Sequence, residues 1–232
     1  MQLFNLKILQ DMLQKRQQDK NNPRHIIVNL FPIKTTDETT IGDTQKLLSV
    51  LDMLIIFQKD NNIPIFTVSL GKAESFDQNI LKNHIETILA KSMESKINVT
   101  VFGKWYDLSG LLVEELKRLN NETKDFDSYF LNICINYDGQ EEVADACKIM
   151  VKKAMLEKLD IDKINSDVLK EHLYSSYFLP PDLIVETSGI FRGTFLWDTC
   201  GAVIYPILKP ATDLTSQDIQ KALDYWSNAK KA

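Results

Sequence analysis

The residues best suited to bind an anion lie in one short segment near the C-terminus. Residues 181–189 read P-D-L-I-V-E-T-S-G, and residues 191–197 read F-R-G-T-F-L-W. The guanidinium of Arg192 can hold a phosphate group through two parallel hydrogen bonds. Glu186 belongs to the same loop and is placed to pair with that guanidinium instead. The segment therefore predicts either a weak phosphate site or an internal ion pair.

The pattern of apolar runs predicts the fold that must position this segment. Short runs rich in β-branched and aromatic residues alternate with longer runs of helical periodicity, which is typical of a mainly parallel α/β sheet flanked by helices. The predicted strands are residues 25–30, 63–69, 97–102, 129–135, 183–185 and 202–205. The predicted helices are residues 43–58, 79–92, 108–119, 141–156, 166–173 and 216–226.

The candidate loop falls at the end of the fifth predicted strand. Ligands of open parallel sheets bind outside the carboxyl ends of the strands, so residues 187–189 have the position expected of a binding site. Pro180 and Pro181 favour an extended approach to that strand, because each proline fixes its own φ and disfavours helix in the residue before it. We also expect Gly103 in the turn after the third strand and Thr215 at the N-cap of the last helix.

Length, composition and charge exclude several classes of protein. The chain has 232 residues, of which 44% are hydrophobic, so it can form one sizeable core, and residues 23–232 are predicted to be a single domain. A formal net charge of −5 and a pI near 5.3 argue against nucleic acid as a partner. No apolar run approaches the roughly 20 residues that span a bilayer. We therefore expect a cytoplasmic protein with at most peripheral membrane contact.

The cysteines and histidines are predicted to be structural. The three cysteines have no C-x-x-C spacing that would form a zinc or redox site, so they are expected to be reduced and buried. The histidines fall at a strand start and on helical patterns, where a satisfied structural or surface histidine is the common case. These residues are Cys134, Cys147, Cys200, His25, His84 and His172.

The first 22 residues predict a separate element. Apolar residues recur at roughly helical spacing up to Leu13, and a polar run then leads to Pro23. This pattern predicts a short N-terminal amphipathic helix over residues 1–22. It can pack on its own domain, on a partner subunit or against a membrane surface, although it lacks the Lys/Arg enrichment typical of interfacial helices.

Segments along nearly the whole chain resemble one known family, and two of them are the most specific. The C-terminal segment resembles P-D-L-x-I-R-T-S-G-E-x-R-L-S-x-F-L-L-W, a signature of the cis-prenyltransferases, which make undecaprenyl and dehydrodolichyl diphosphate. Residues 130–146 are similar to the family's L-N-I-A-x-N-Y-G-G-R-x-E-I-x-x-A block, with Asp138 for a glycine and Gln140 for the arginine. The resemblance implies a six-stranded sheet of the cis-prenyltransferase type, a hydrophobic tunnel for an isoprenoid ligand and a dimer interface.

The resemblance also implies an altered diphosphate site. The first arginine of the signature, which grips a substrate diphosphate, falls on Glu186, so an anion replaces a cation. Arg192 matches the second arginine and Thr194 stands for a serine that hydrogen-bonds diphosphate, but the spacing to Trp197 is two residues shorter than in the family. The predicted remnant of the diphosphate site is Arg192, Thr194, Ser188, Gly189 and Lys34.

The metal-binding motif of the family has no matching side chains here. In M-D-G-N-R-R-W-A an aspartate holds Mg²⁺ against the leaving diphosphate, and Mg²⁺ prefers carboxylate and phosphate oxygens. In residues 29–34 that aspartate falls on Phe31, the glycine on Pro32 and the asparagine on Ile33. A glutamate that follows the signature tryptophan in the family falls on Val203. The resemblance therefore implies no catalytic residue and no metal ligand, although active members need Mg²⁺.

Two functions remain open at this point. The first is a non-catalytic partner or regulatory subunit of a polyprenyl (dolichyl-type) diphosphate synthase, as a homodimer or as a heterodimer with an active cis-prenyltransferase. The second is a divergent prenyltransferase or isoprenoid diphosphate-binding protein with altered chemistry. The C-terminal residues lack the R-x-G triplet that accessory subunits usually contribute, which counts against the simplest form of the first. The predicted dimer surface is Phe195, Leu196, Trp197, Val203, Ile204 and Tyr205.

Overall fold

The structure is a computed structural model, and it describes residues 22–30, 41–187 and 189–231. The predicted N-terminal helix, apart from Asn22, lies outside these ranges. Lys34, Ser188, Phe31, Pro32 and Ile33 lie outside them too.

A six-stranded sheet in which every pairing is parallel forms the centre of the described chain. Its strand order is β3-β4-β2-β1-β5-β6. The strands are β1 (His25–Asn29), β2 (Ile65–Ser69), β3 (Ile97–Phe102), β4 (Tyr129–Cys134), β5 (Leu183–Thr187) and β6 (Val203–Ile207). The predicted α/β class is confirmed, and each strand end lies within two residues of its prediction.

Six α-helices connect or follow the strands of the described chain. They are α1 (Ile41–Asp60), α2 (Gln78–Ser95), α3 (Gly110–Thr123), α4 (Gly139–Met155), α5 (Ser166–Lys170) and α6 (Ser216–Ala229). Side-chain caps fix where several of them begin, because a cap satisfies main-chain N–H groups that have no partner within the helix. Asp138 accepts from the main-chain amide of Gln140 at 2.9 Å at the start of α4, and the predicted cap Thr215 forms a capping box with Asp218 at the start of α6.

The two faces of the sheet are covered differently. Side chains alternate between faces along a strand, so Ile26 and Val28 join the main core while Ile27 points to the opposite side. The main core packs the sheet against α1, α2, α3 and α6. On the other face, Ile27 packs with Phe102 and Phe195 in a smaller, aromatic cluster. The candidate loop therefore contributes a core residue to this second face.

The prediction for Gly103 is confirmed, and the predicted burial of the cysteines holds for one of the three. Gly103 follows β3 with a φ of +95°, and a Cβ there would lie 2.3 Å from the carbonyl oxygen of Ile135, so the turn requires glycine. Cys134 is buried as predicted, but Cys147 and Cys200 are exposed. The prediction failed for these two because Cys147 lies on an outward face of α4 and Cys200 in a surface turn.

None of the described helices is long and apolar enough to cross a membrane.

Candidate functional site

The candidate site lies where β1 and β5 end side by side. Asn29 is the last residue of β1 and is in register with Glu186 of β5. After β5 the chain continues into the signature loop, a name that is used here for the described residues 189–197. Gly189 and Gly193 both have a φ of +72°, a left-handed conformation that glycine adopts without strain. The predicted position of the loop at the carboxyl edge of the sheet is confirmed.

Glu186 is buried at this edge rather than directed into solvent. Its Oε1 accepts a hydrogen bond from Nδ2 of Asn29 at 2.7 Å and another from the main-chain amide of Arg192 at 3.2 Å. Its Oε2 is buried and has no hydrogen-bond partner among the described residues. Burial raises the pKa of the Glu186 carboxyl to about 7, against the opposing effect of the Arg192 amide and Asn29. Burial therefore favours the protonated carboxyl more strongly here than in a solvent-exposed glutamate.

Thr194 is turned inward toward the same asparagine. Its hydroxyl donates to Oδ1 of Asn29 at 2.7 Å, and the residue is 1% exposed. Thr187 also donates, to the main-chain carbonyl of Asn29 at 2.6 Å. Asn29 thus joins β1, β5 and the signature loop. Asn29 is not among the predicted site residues, although a polar residue that ends an apolar strand at the carboxyl edge is a signal for a site.

The structure separates the predicted diphosphate-binding remnant. Thr194 is engaged inside the protein, whereas Arg192 and Gly189 are exposed on the signature loop. The hydrogen bond between Arg192 and Glu186 uses the main-chain amide of Arg192, whereas the sequence predicted either a weak phosphate site or an ion pair with the Arg192 side chain. Lys34 and Ser188 lie outside the described residues, so their part in the remnant stays a prediction.

A second buried network, which sequence analysis missed, anchors the signature loop from α4. Glu142 is fully buried, accepts from the hydroxyl of Tyr137 and accepts from the main-chain amide of Ser175 at 2.9 Å. The Tyr137 oxygen in turn accepts from the main-chain amide of Phe195 at 3.1 Å. Burial raises the pKa of both the Glu142 carboxyl and the Tyr137 hydroxyl. This network fixes the backbone of the loop that carries Thr194.

Gly139 of α4 lies very close to the backbone of the signature loop. A Cβ placed on it would lie 2.1 Å from the carbonyl oxygen of Gly193 and 2.8 Å from Cβ of Leu196. The helix can therefore approach the loop backbone only because position 139 has no side chain.

His25 is structural, as predicted. It is fully buried, and its Nδ1 lies 2.6 Å from the carbonyl oxygen of Leu179, so Nδ1 carries the proton. Its Nε2 lies 2.8 Å from the hydroxyl of Thr67, which donates to it. Burial lowers the pKa of the imidazole to about 4, so the ring is neutral at physiological pH.

The described residues do not fit the Mg²⁺ site that active cis-prenyltransferases need. Val203, on which one metal ligand falls, has a hydrocarbon side chain that cannot ligate. Within residues 22–30, 41–187 and 189–231, no group of three His, Cys, Asp or Glu side chains could hold a metal ion.

An apolar groove with a volume of about 460 Å³ lies along the C-terminal half of α4. Its lining consists of Cys147, Met150, Val151, Ala154, Met155, Ile161 and Ile164. Gly139, which contacts the signature loop, lies at the other end of this helix. The groove is therefore separate from the candidate site.

The proteins to which this chain is similar in sequence are prenyl diphosphate synthases. Residues 72–232 match the Prenyltransf family model, described as "Putative undecaprenyl diphosphate synthase". The chain is 35% identical over 114 residues to a tritrans,polycis-undecaprenyl-diphosphate synthase (geranylgeranyl-diphosphate specific) from Thermoplasma volcanium, covering 48% of this chain and 44% of the synthase. It is 26% identical over 198 residues to the synthase of the same name from Sulfurisphaera tokodaii, covering 81% and 74%. The chain thus matches less than half the length of the Thermoplasma relative.

Solved structures share the fold. Lavandulyl diphosphate synthase from Lavandula x intermedia superposes with a TM-score of 0.81 at 17% identity, covering 90% of this chain and 97% of that one. A probable undecaprenyl diphosphate synthase from Campylobacter jejuni gives a TM-score of 0.67 at 19% identity, covering 90% and 96%. Because the family model also matches well over half of the residues, this chain belongs to the undecaprenyl diphosphate synthase, or cis-prenyltransferase, family.

Proposed function

We propose that this chain is a non-catalytic member of its family that acts as a partner or regulatory subunit of an active polyprenyl diphosphate synthase. One observation carries the proposal: Glu186, at the position of the signature arginine, is 1% exposed and hydrogen-bonded within the protein. A carboxyl group cannot replace a cation that grips diphosphate.

The expected loss of catalytic rate is large, which favours a non-catalytic role over that of a slow enzyme. Stabilising the charge that develops on a departing diphosphate is the main task of such a catalyst, and removing one well-placed donor costs about 3–4 kcal/mol of barrier. The sequence also places Phe31 and Val203 where the family has carboxylates. Such losses act together, and their effects need not add.

We expect the purified chain alone not to elongate an allylic diphosphate with isopentenyl diphosphate in the presence of Mg²⁺. The assay should include both farnesyl and geranylgeranyl diphosphate, since the Thermoplasma relative is named as specific for the latter. Incorporation of labelled isopentenyl diphosphate is the measurement, and an active homologue in the same buffer is the positive control. Mg²⁺-dependent elongation by the pure chain would overturn the proposal.

The partner role has its own measurement. We would express the chain with a homologue that retains D-G-N-R-R and R-T-S-G motifs, and expect the two to co-purify and the homologue's rate or product length to change. A homologue whose activity and mass are the same with and without this chain would contradict the role.

A dimer, of this chain or with a homologue, fits the apolar surface beside β6. Trp197 and Ile204 are 39% and 43% exposed, and Leu208 is 86% exposed. Large apolar side chains exposed near one another are typical of interaction surfaces. Phe195, which we also expected in the interface, is fully buried in the aromatic cluster of its own domain, because the loop turns it inward.

We expect Ile204→Asp to weaken self-association or partner binding at least tenfold, because a charge would be desolvated in the interface. Leu111→Asp, at a position that is 65% exposed on α3, is the matched control and should leave association unchanged. Light scattering over a concentration series measures the effect. A wild-type chain that stays monomeric alone and beside its homologue would contradict the expectation.

One observation favours the second function, an isoprenoid diphosphate-binding protein with altered chemistry. Arg192 is exposed on the signature loop at the carboxyl edge of the sheet, a position from which it could reach a phosphate. Titration calorimetry with isopentenyl diphosphate separates the two functions. Micromolar binding that Arg192→Ala abolishes would favour this second function.

A further inference from the structure

The hydrogen bonds to Glu186 form a donor pair of the kind that binds anions. The main-chain amide of Arg192 and the side-chain amide of Asn29 converge on the single oxygen Oε1, at 3.2 and 2.7 Å. A loop N–H next to a left-handed glycine, together with a neutral amide, is a common arrangement around a bound oxyanion. In this chain, the oxygen at that point belongs to the protein itself.

Burial of the other carboxyl oxygen of Glu186 carries an energetic cost. Oε2 is buried without a hydrogen-bond partner among the described residues, and an unpaired buried oxygen of a charged group destabilises the folded state. The charged group that acts on Glu186 from the described elements is Arg192, whereas β1 contributes the neutral Asn29 and β6 places Pro206 beside it. The two donors thus suit one anionic oxygen, whereas the surroundings offer no hydrogen bond to the second oxygen of the carboxyl group.

We propose that the Glu186 carboxyl group occupies an oxyanion site formed by the Arg192 amide and the Asn29 side chain. Small carboxylates and phosphate oxygens are the class of ligand that this site takes once the side chain is removed. Glu186 therefore keeps the signature loop closed against external anions. The inference rests on the proposed loss of the family's diphosphate grip, but its test uses no prenyl substrate, so either can fail alone.

The first test removes the Glu186 carboxyl group by substitution and supplies it again as a free ion in solution. Glu186→Ala removes the atoms of an acetate ion, so acetate should bind in the vacated space and raise the midpoint of thermal unfolding of this variant by roughly 2–4 °C. Acetamide, which has the same shape and no charge, should have a smaller effect, and chloride keeps the ionic strength constant. Wild type and Glu186→Gln, whose sites remain filled, should not respond to acetate. A folded Glu186→Ala that ignores acetate would overturn the proposal.

The second test needs no destabilising substitution. In wild type, the amide resonance of Arg192 should shift with pH as Glu186 titrates, because its acceptor gains or loses charge. In Glu186→Gln the same resonance should not follow that titration. An Arg192 amide that shifts equally in both proteins, or in neither, would show that it does not serve Glu186 and would overturn the proposal even if Glu186→Ala does not fold.

Discussion

Gly139→Ala is expected to lower the free energy of unfolding by about 3 kcal/mol, an effect typical of overpacking. The new Cβ would lie 2.1 Å from the carbonyl oxygen of Gly193, and main chain cannot rotate away as a flexible side chain can. Either α4 or the signature loop must move, so the variant should also disturb the environment of Thr194. Urea denaturation followed by circular dichroism measures the loss of stability.

Gly110→Ala is the matched control for that substitution. Gly110 begins α3, and a Cβ there would meet no atom within 4 Å. Since alanine is the better helix former, this variant should be as stable as wild type or up to about 1 kcal/mol more stable. Equal losses in the two variants would show that the close approach of α4 to the loop is not the cause.

The contribution of Glu186 to stability is expected to fall by about 3 kcal/mol as pH rises from about 4.5 to above 7. Its pKa is raised from 4.5 to about 7 in the folded protein, so between these values the folded state holds a proton that the unfolded state has lost. The folded state then binds more protons, and its stability decreases with increasing pH until both states are ionised. The pKa difference of about 2.5 corresponds to about 3 kcal/mol.

A comparison with Glu186→Gln isolates this effect. Wild type alone would not show it clearly, because His25, whose pKa is lowered to about 4, stabilises the fold increasingly as pH rises from 4 to 6.5 and so opposes Glu186. The difference in unfolding free energy between wild type and Glu186→Gln should shift in favour of the glutamine variant at high pH. Glu114→Gln, at an exposed position on α3, should track wild type. A constant difference between wild type and Glu186→Gln across this range would contradict the expectation.

The sequence by itself determined the architecture of this protein. The β-branched runs that became β1 to β6 and the helical patterns between them require a parallel sheet with helices on its faces, because each apolar face must be buried. The chain order also placed the signature loop at the carboxyl edge, since parallel strands all end on one side. Gly103 and Thr215 were also predictable from the sequence, because turns and helix caps depend on near neighbours in the chain.

Only the tertiary structure decided what the site residues contact. Asn29 and Glu186 are 157 positions apart and meet because β1 and β5 are adjacent, a pairing that no local pattern encodes. The same holds for the burial of Phe195 and for the approach of Gly139 to Gly193. From the sequence, Glu186 was a loop anion facing the Arg192 side chain; in the fold, it is a buried carboxyl bonded to the Arg192 main chain. Side-chain direction and burial depend on contacts between distant segments, and these form only when the whole sheet is assembled.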